Sequence, residues 1–171
     1  TNWSPLRLLP RKRRILIDGN IDLVELEMRL AQMWTTPNKT LKILAKSSDP
    51  RVRRYVAHNK FCPPEILDVL ADDEDLEVAM EVAEHPATTS PTLHRMSQNA
   101  DSTIAWQIAG HDNALAPTLI RLATHESPLV REAVAKAKRT PLHILDGLAV
   151  DDESEVCKAA IRSLMALLGR F

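Results

Sequence analysis

Two of the histidines repeat. His85 and His111 stand 26 residues apart, and the position one interval earlier is Asn59. Two imidazoles, with the Asp112 carboxylate after the second, could begin a metal site. The repeat places no third strong ligand beside them, and a protein zinc site takes three or four. Asn and His at a helix end also pair backbone groups that the helix leaves open, so capping is the expectation at these three positions. The other histidines, His58, His94, His125 and His143, fall elsewhere. Cys62 and Cys157 lie in different repeats without a recurring histidine, and no Gly-rich phosphate loop occurs. Nucleophilic catalysis therefore finds no constellation, and both thiols read as reduced side chains of a cytoplasmic protein. No cofactor and no small-molecule substrate are expected.

These residues are carried on a pattern with a fixed period. Leu44-Ala45, Leu70-Ala71, Met96-Ser97, Leu122-Ala123 and Leu148-Ala149 follow one another at 26-residue steps. Three residues before each pair stands a leucine: Leu41, Leu67, Leu93, Leu119 and Leu145. Eight residues after its start comes Val52, Val78, Ile104, Val130 or Val156, and four further on Val56, Val82, Ile108, Val134 or Ala160. A fixed period of this size marks a stacked array in which no unit buries its apolar face alone. Each unit reads as two short helices. The first has a proline near its start (Pro37, Pro63-Pro64, Pro91, Pro117, Pro141), where the missing N–H costs nothing. The second has an acid or serine before it (Asp49, Asp75, Asp101, Ser127, Glu153), placed to cap it.

The expected organisation is an all-α, right-handed superhelix of about five such repeats over 35–163, closed by capping helices at both ends. Residues 21–34 form an incomplete unit, with Asn20 as cap and Leu23, Leu26, Leu30 and Met33 as one stripe. Residues 164–171 continue the last helix with Leu164, Met165, Leu167 and Leu168 as the C-terminal cap, or else as a self-association face. Residues 1–20 are an arm. Trp3, Leu6, Leu8 and Leu9 can cover the open end, and Arg11-Lys12-Arg13-Arg14 form a short basic run.

With 22 Lys and Arg against 23 Asp and Glu, the chain has no whole-molecule attraction for nucleic acid or membrane. No apolar run approaches the length of a membrane span. Charge is instead segregated. Lys39, Lys42, Lys46, Arg51, Arg53 and Arg54 crowd the first unit, while the next holds Glu65, Asp68, Asp72, Asp73, Glu74, Asp75, Glu77, Glu81 and Glu84. Adjacent layers of opposite sign either screen each other or present a dipolar surface to a charged partner.

The pieces Thr36-Pro37, Leu41, Leu44-Ala45, Asp49-Pro50-Arg51-Val52-Arg53, Val56-Ala57 and Asn59, with Ser127-Pro128-Leu129-Val130-Arg131 and Val134-Ala135, resemble the leucine-rich repeat variant family, a bacterial relative of HEAT and armadillo solenoids. The resemblance covers about residues 21–168. It implies alternating α and shorter, sometimes 3₁₀, helices and a binding scaffold rather than a reaction. One member carries an N-terminal iron–sulfur cluster on clustered cysteines; the first cysteine here is Cys62, so that cofactor is not carried over. Some HEAT-like solenoids are DNA glycosylases that use a carboxylate and aromatics, for which Trp106 and Asp101 are formally available. That is analogy at the level of the fold.

Residues between the buried valines of the second helices face outward in columns. One column is Arg54, Met80, Trp106, Glu132 and Lys158; another is His58, Glu84, Gly110, Lys136 and Arg162. Trp106 and Met80 either tuck against neighbouring units or form an apolar anchor, a role for which tryptophan is enriched. The expected function is a non-enzymatic protein-interaction scaffold, with Trp106 and Met80 as anchor and Arg54, Glu84, Glu132 and Lys158 as charged rim. The alternative is nucleic-acid binding through Arg11, Lys12, Arg13, Arg14, Lys42, Arg51 and Arg54, whose mark is steep salt dependence.

Overall fold

The computed structural model describes residues 23–169, and among them it has eleven α-helices and no strand. The N-terminal arm with Arg11–Arg14 and the expected cap Asn20 lies outside the described residues. After α1 (Leu23–Gln32) the chain alternates seven-residue and nine-residue helices. The short ones are α2 (Asn38–Leu44), α4 (Pro64–Leu70), α6 (Ser90–Met96), α8 (Ala116–Leu122) and α10 (Leu142–Leu148). The longer ones are α3 (Pro50–His58), α5 (Leu76–Glu84), α7 (Ser102–Gly110) and α9 (Pro128–Lys136). The chain closes with α11 (Ser154–Leu168), 15 residues long. All the short helices are α-helical.

The longer helices stack directly: α1 on α3, α3 on α5, α5 on α7, α7 on α9 and α9 on α11. The short helices flank this row. The sequence shows why the stacked row comes close. Ala31, Ala57, Ala83, Ala109 and Ala135 hold one repeat position and are fully buried, and small side chains let helices approach. Beneath them, each expected leucine, valine and isoleucine of the 26-residue pattern is buried.

The turns are fixed by side chains at repeating positions. Asp49 accepts from the Arg51 N–H, Asp75 from Glu77 and Val78, and Asp101 from Thr103 and Ile104, so three of the five expected caps act through their side chains. Ser127 and Glu153 stand at the same helix starts without a side-chain cap. There the residue two positions earlier holds the turn, as His125 Nδ1 and Asp151 Oδ1 accept from the Ser127 and Glu153 N–H groups.

Two largely buried ion pairs tie layers together. Arg53 forks onto both oxygens of Asp73, at 2.7 and 2.8 Å, and donates to the Ser47 carbonyl. Arg131 does the same with Asp151 and the His125 carbonyl three units later. Burial opposes ionisation of Asp73, yet the Arg53 fork and the Asp75 N–H hold its carboxyl below the usual range. The Arg131 guanidinium does likewise for Asp151.

At the N-terminal end α1 stops at Gln32, two residues short of the expected Trp34. The Thr36 hydroxyl takes the Leu30 carbonyl and the Asn59 amide takes those of Ala31 and Met33, so the last turn is closed off. Trp34 is left exposed on the turn. At the other end α11 runs past the repeat as expected, with Leu164 and Leu167 half-buried and Met165 and Leu168 exposed.

Candidate functional site

The repeating Asn and His residues build a ladder up one edge of the stack. The Asn59 amide donates to the Ala31 carbonyl at 2.6 Å. His85 Nε2 reaches the Asn59 carbonyl at 3.0 Å, and His111 Nε2 reaches the His85 carbonyl at 3.0 Å. Each rung also turns back on its own chain: Asn59 Oδ1, His85 Nδ1 and His111 Nδ1 accept from the N–H groups of Phe61, Ala87 and Asn113. Both histidines are thus neutral imidazoles carrying their proton on Nε2, with both nitrogens occupied. Burial pushes the His85 pKa down, which fits that state. They cap helices, as expected. Among the described residues no group of three His, Cys, Asp or Glu side chains is placed to hold a metal ion.

The next rung is missing. Position 137 is alanine, though its backbone (φ −68°, ψ 131°) matches that of His111 (φ −75°, ψ 133°). A cleft of about 920 Å³ opens there between α7 and α9. Its α7 side is Trp106, Gln107 and Gly110, continuing into His111 and Asp112. Its α9 side is Glu132, Ala133 and Lys136, continuing into Ala137, Lys138 and Arg139, and Glu84 reaches it from α5. Small residues make the opening: a Cβ added at Gly110 would meet open space.

Trp106 is 52% exposed at this cleft and is no core residue. Met80, one layer below in the same column, is half-buried and packs against the core. The pair therefore divides: the tryptophan stands exposed at the cleft and the methionine belongs to the edge of the core. Gln107 donates to the Glu84 carboxylate at 2.5 Å, while its own Oε1 is buried with no hydrogen-bond partner. Lys136 pairs with Glu132 at 2.6 Å.

Of the expected docking residues, Glu84, Trp106 and Glu132 meet in this cleft. Arg54 and Lys158 do not line it. Arg54 spans from α3 to Glu77 and Glu81 on α5, and Lys158 pairs with Glu155 on its own helix. Among the cations of the nucleic-acid alternative, Arg51 binds Asp49, and Lys42 stands exposed on α2, in the flanking row. Asp101, formally available for base excision, spends its carboxylate on capping α7. Sequence reasoning missed Gln107, Ala137, Lys138 and Arg139. The signal for one of them was present, because Asn59, His85 and His111 form a series that Ala137 breaks.

Against known proteins, no family model matches the sequence, and no curated protein does. Among solved structures, the chain is similar to one described as a leucine-rich repeat variant with a novel repetitive protein structural motif. The TM-score is 0.66 at 24% identity, over 81% of this chain and 55% of that one. The fold is that of a leucine-rich repeat variant. The chain spans about half the length of that relative, and at this identity the likeness carries the architecture alone. Among the described residues no helix is long and apolar enough to cross a membrane.

Proposed function

We propose that this solenoid is a non-enzymatic scaffold that docks another protein at the α7–α9 cleft. The observation that carries this reading is Trp106, a half-exposed indole at the edge of an open cleft, ringed by Glu84, Glu132 and Lys136. Aromatic anchors beside pockets with polar rims dominate the energetics of protein interfaces. Both cysteines are free thiols, which suits the reducing cytoplasm.

Engaged cations favour this reading over nucleic-acid binding. In the first unit Arg51 lies on Asp49, Arg53 on Asp73, and Arg54 on Glu77 and Glu81. A phosphate would have to displace these carboxylates. The adjacent acidic unit supports the mutual-screening reading of the charge pattern.

The test is capture from native lysate by the wild-type chain, by Trp106→Ala and by Val69→Ala, an exposed apolar residue on α4 away from the cleft. A protein retained by wild type and Val69→Ala, lost with Trp106→Ala and indifferent to nuclease is the expected result. Capture that vanishes on nuclease treatment, or falls steeply with salt, moves the function to the cations.

A further inference from the structure

We infer that the α7–α9 cleft receives an arginine side chain of the partner protein, which supplies the planar N–H donor that position 137 lacks. This rests on the docking reading above and names the chemistry of the docked group.

The ladder defines the vacancy. At three successive steps a planar donor, Asn59, His85 or His111, lies over the preceding layer and donates to its carbonyl. The Asn59 and His85 carbonyls each accept twice, from a turn N–H and from the next rung. The His111 carbonyl accepts from the Ala114 N–H and has no rung above it, because Ala137 carries no donor. The Gln107 side chain lines the same cleft, its amide held by Glu84 and its Oε1 enclosed in the wall without a partner. The site therefore has one neutral oxygen, the His111 carbonyl, that lacks the second N–H its counterparts receive.

Charge and shape choose among donors. Glu84 and Asp112 add carboxylates, and the half-exposed Trp106 indole in the same lining is an aromatic on which a flat cation can stack. A guanidinium is planar, always charged, and carries five N–H donors in a fixed fork, so it can serve several acceptors while stacking on indole. An ammonium brings the charge without the plane. A neutral amide brings the plane without the charge. The cleft also holds cations, but Lys136 is neutralised by Glu132. Lys138 and Arg139 stand exposed on the turn after α9, with no ion pair among the described residues. They suit an acidic residue beside the arginine in the partner, which makes the preferred segment dipolar.

The experiment uses the purified chain and labelled extended peptides, degenerate around one fixed central residue: arginine, its uncharged isostere citrulline, or lysine. Fluorescence anisotropy should show the arginine pool binding at least about tenfold more tightly than the citrulline pool. Ala137→His, which restores the rung and fills the cleft, should abolish that binding while the chain stays folded by circular dichroism. Gly110→Leu blocks the cleft from the other side and should do the same. Equal binding of arginine and citrulline pools, or full binding by both cleft-filling variants, overturns the inference. No peptide binding, with the captured protein still lost on Trp106→Ala, overturns the arginine and leaves the docking reading standing. A captured protein indifferent to Trp106→Ala overturns both.

Discussion

The α3–α5 interface and the α7–α9 interface are the same interface by repeat position, and they are finished in opposite ways. Between α3 and α5, Arg53 forks Asp73, Arg54 reaches Glu77 and Glu81, His58 reaches Glu81, and His85 closes on the Asn59 carbonyl. Two repeats later the equivalent positions are Ala105, His125, Trp106, Leu129, Ala133, Gly110 and Ala137. All but His125 are small or apolar, and His125 turns to its own chain, accepting from the Ser127 N–H and leaving the cross-layer fork to Arg131. The layer beneath stays aliphatic and buried, with Ile104 and Ile108 on α7 where α3 has Val52 and Val56. Stacking and stitching are thus separate functions of the repeat, and an interface can lose its stitches without losing its stack.

That separation predicts equal core costs on the two sides. Leu67→Ala and Leu119→Ala occupy one repeat position, both fully buried. Each should cost about 3–4 kcal/mol in denaturant unfolding, as large-to-small core changes do. A much smaller cost at Leu119 would show that the cleft loosens the core below it. Next in size, Arg53→Ala should cost about 3 kcal/mol, because it strands the Asp73 carboxylate, whose side chain is only 6% exposed. The double change Arg53→Met with Asp73→Leu should recover most of that loss. If the single change is nearly neutral, the fork is no structural bridge.

The ladder gives a pH signature confined to the stitched side. Burial lowers the His85 pKa from its ordinary 6.5, so the unfolded chain takes the proton more readily than the folded one. The stability His85 contributes is full above that ordinary value and is lost as pH falls toward the folded one. Protonation would also break the Ala87 N–H bond to Nδ1. His85→Asn, the rung type used at Asn59, should flatten the fall in melting temperature between about pH 7 and about pH 5. An unchanged slope would place the acid sensitivity elsewhere.

The architecture was legible because its signal is redundant. Leu41 through Leu145 state one position five times, and a burial pattern repeated at fixed spacing leaves little freedom. The caps were legible in part. Asp75 and Asp101 act as caps, but nothing local distinguishes Ser127, whose turn is held by His125 instead. The exposure of Trp106 was undecided in the sequence, since its column position fits either a groove wall or a tucked side chain. The cleft itself is a difference between repeats, and periodicity reports what repeats share. Only a break in an otherwise regular series, as at Ala137, could point to it. Arg54 and Lys158 show the converse error: a column lists neighbours along the stack, and ion pairs decide which of them are committed.

The smallest effect is also the sharpest on the comparison. Asp75 caps α5 with two hydrogen bonds, whereas Ser127 caps α9 with none, though the two residues share a repeat position. Pro128 at the helix start leaves one orphan N–H fewer, as Pro50 does in α3, where Asp49 nonetheless caps through Arg51 N. Ser127→Asp should therefore gain one cap, and a carboxylate at the positive end of the helix, for about 0.5 kcal/mol. Hydrogen exchange in the first turn of α9 should slow, with α5 unaffected. If the gain appears and docking at the cleft is unchanged, the cleft owes its openness to the missing side chains at Gly110, Ala133 and Ala137. If docking weakens as α9 tightens, then fraying at the start of that helix is part of how the cleft admits its partner.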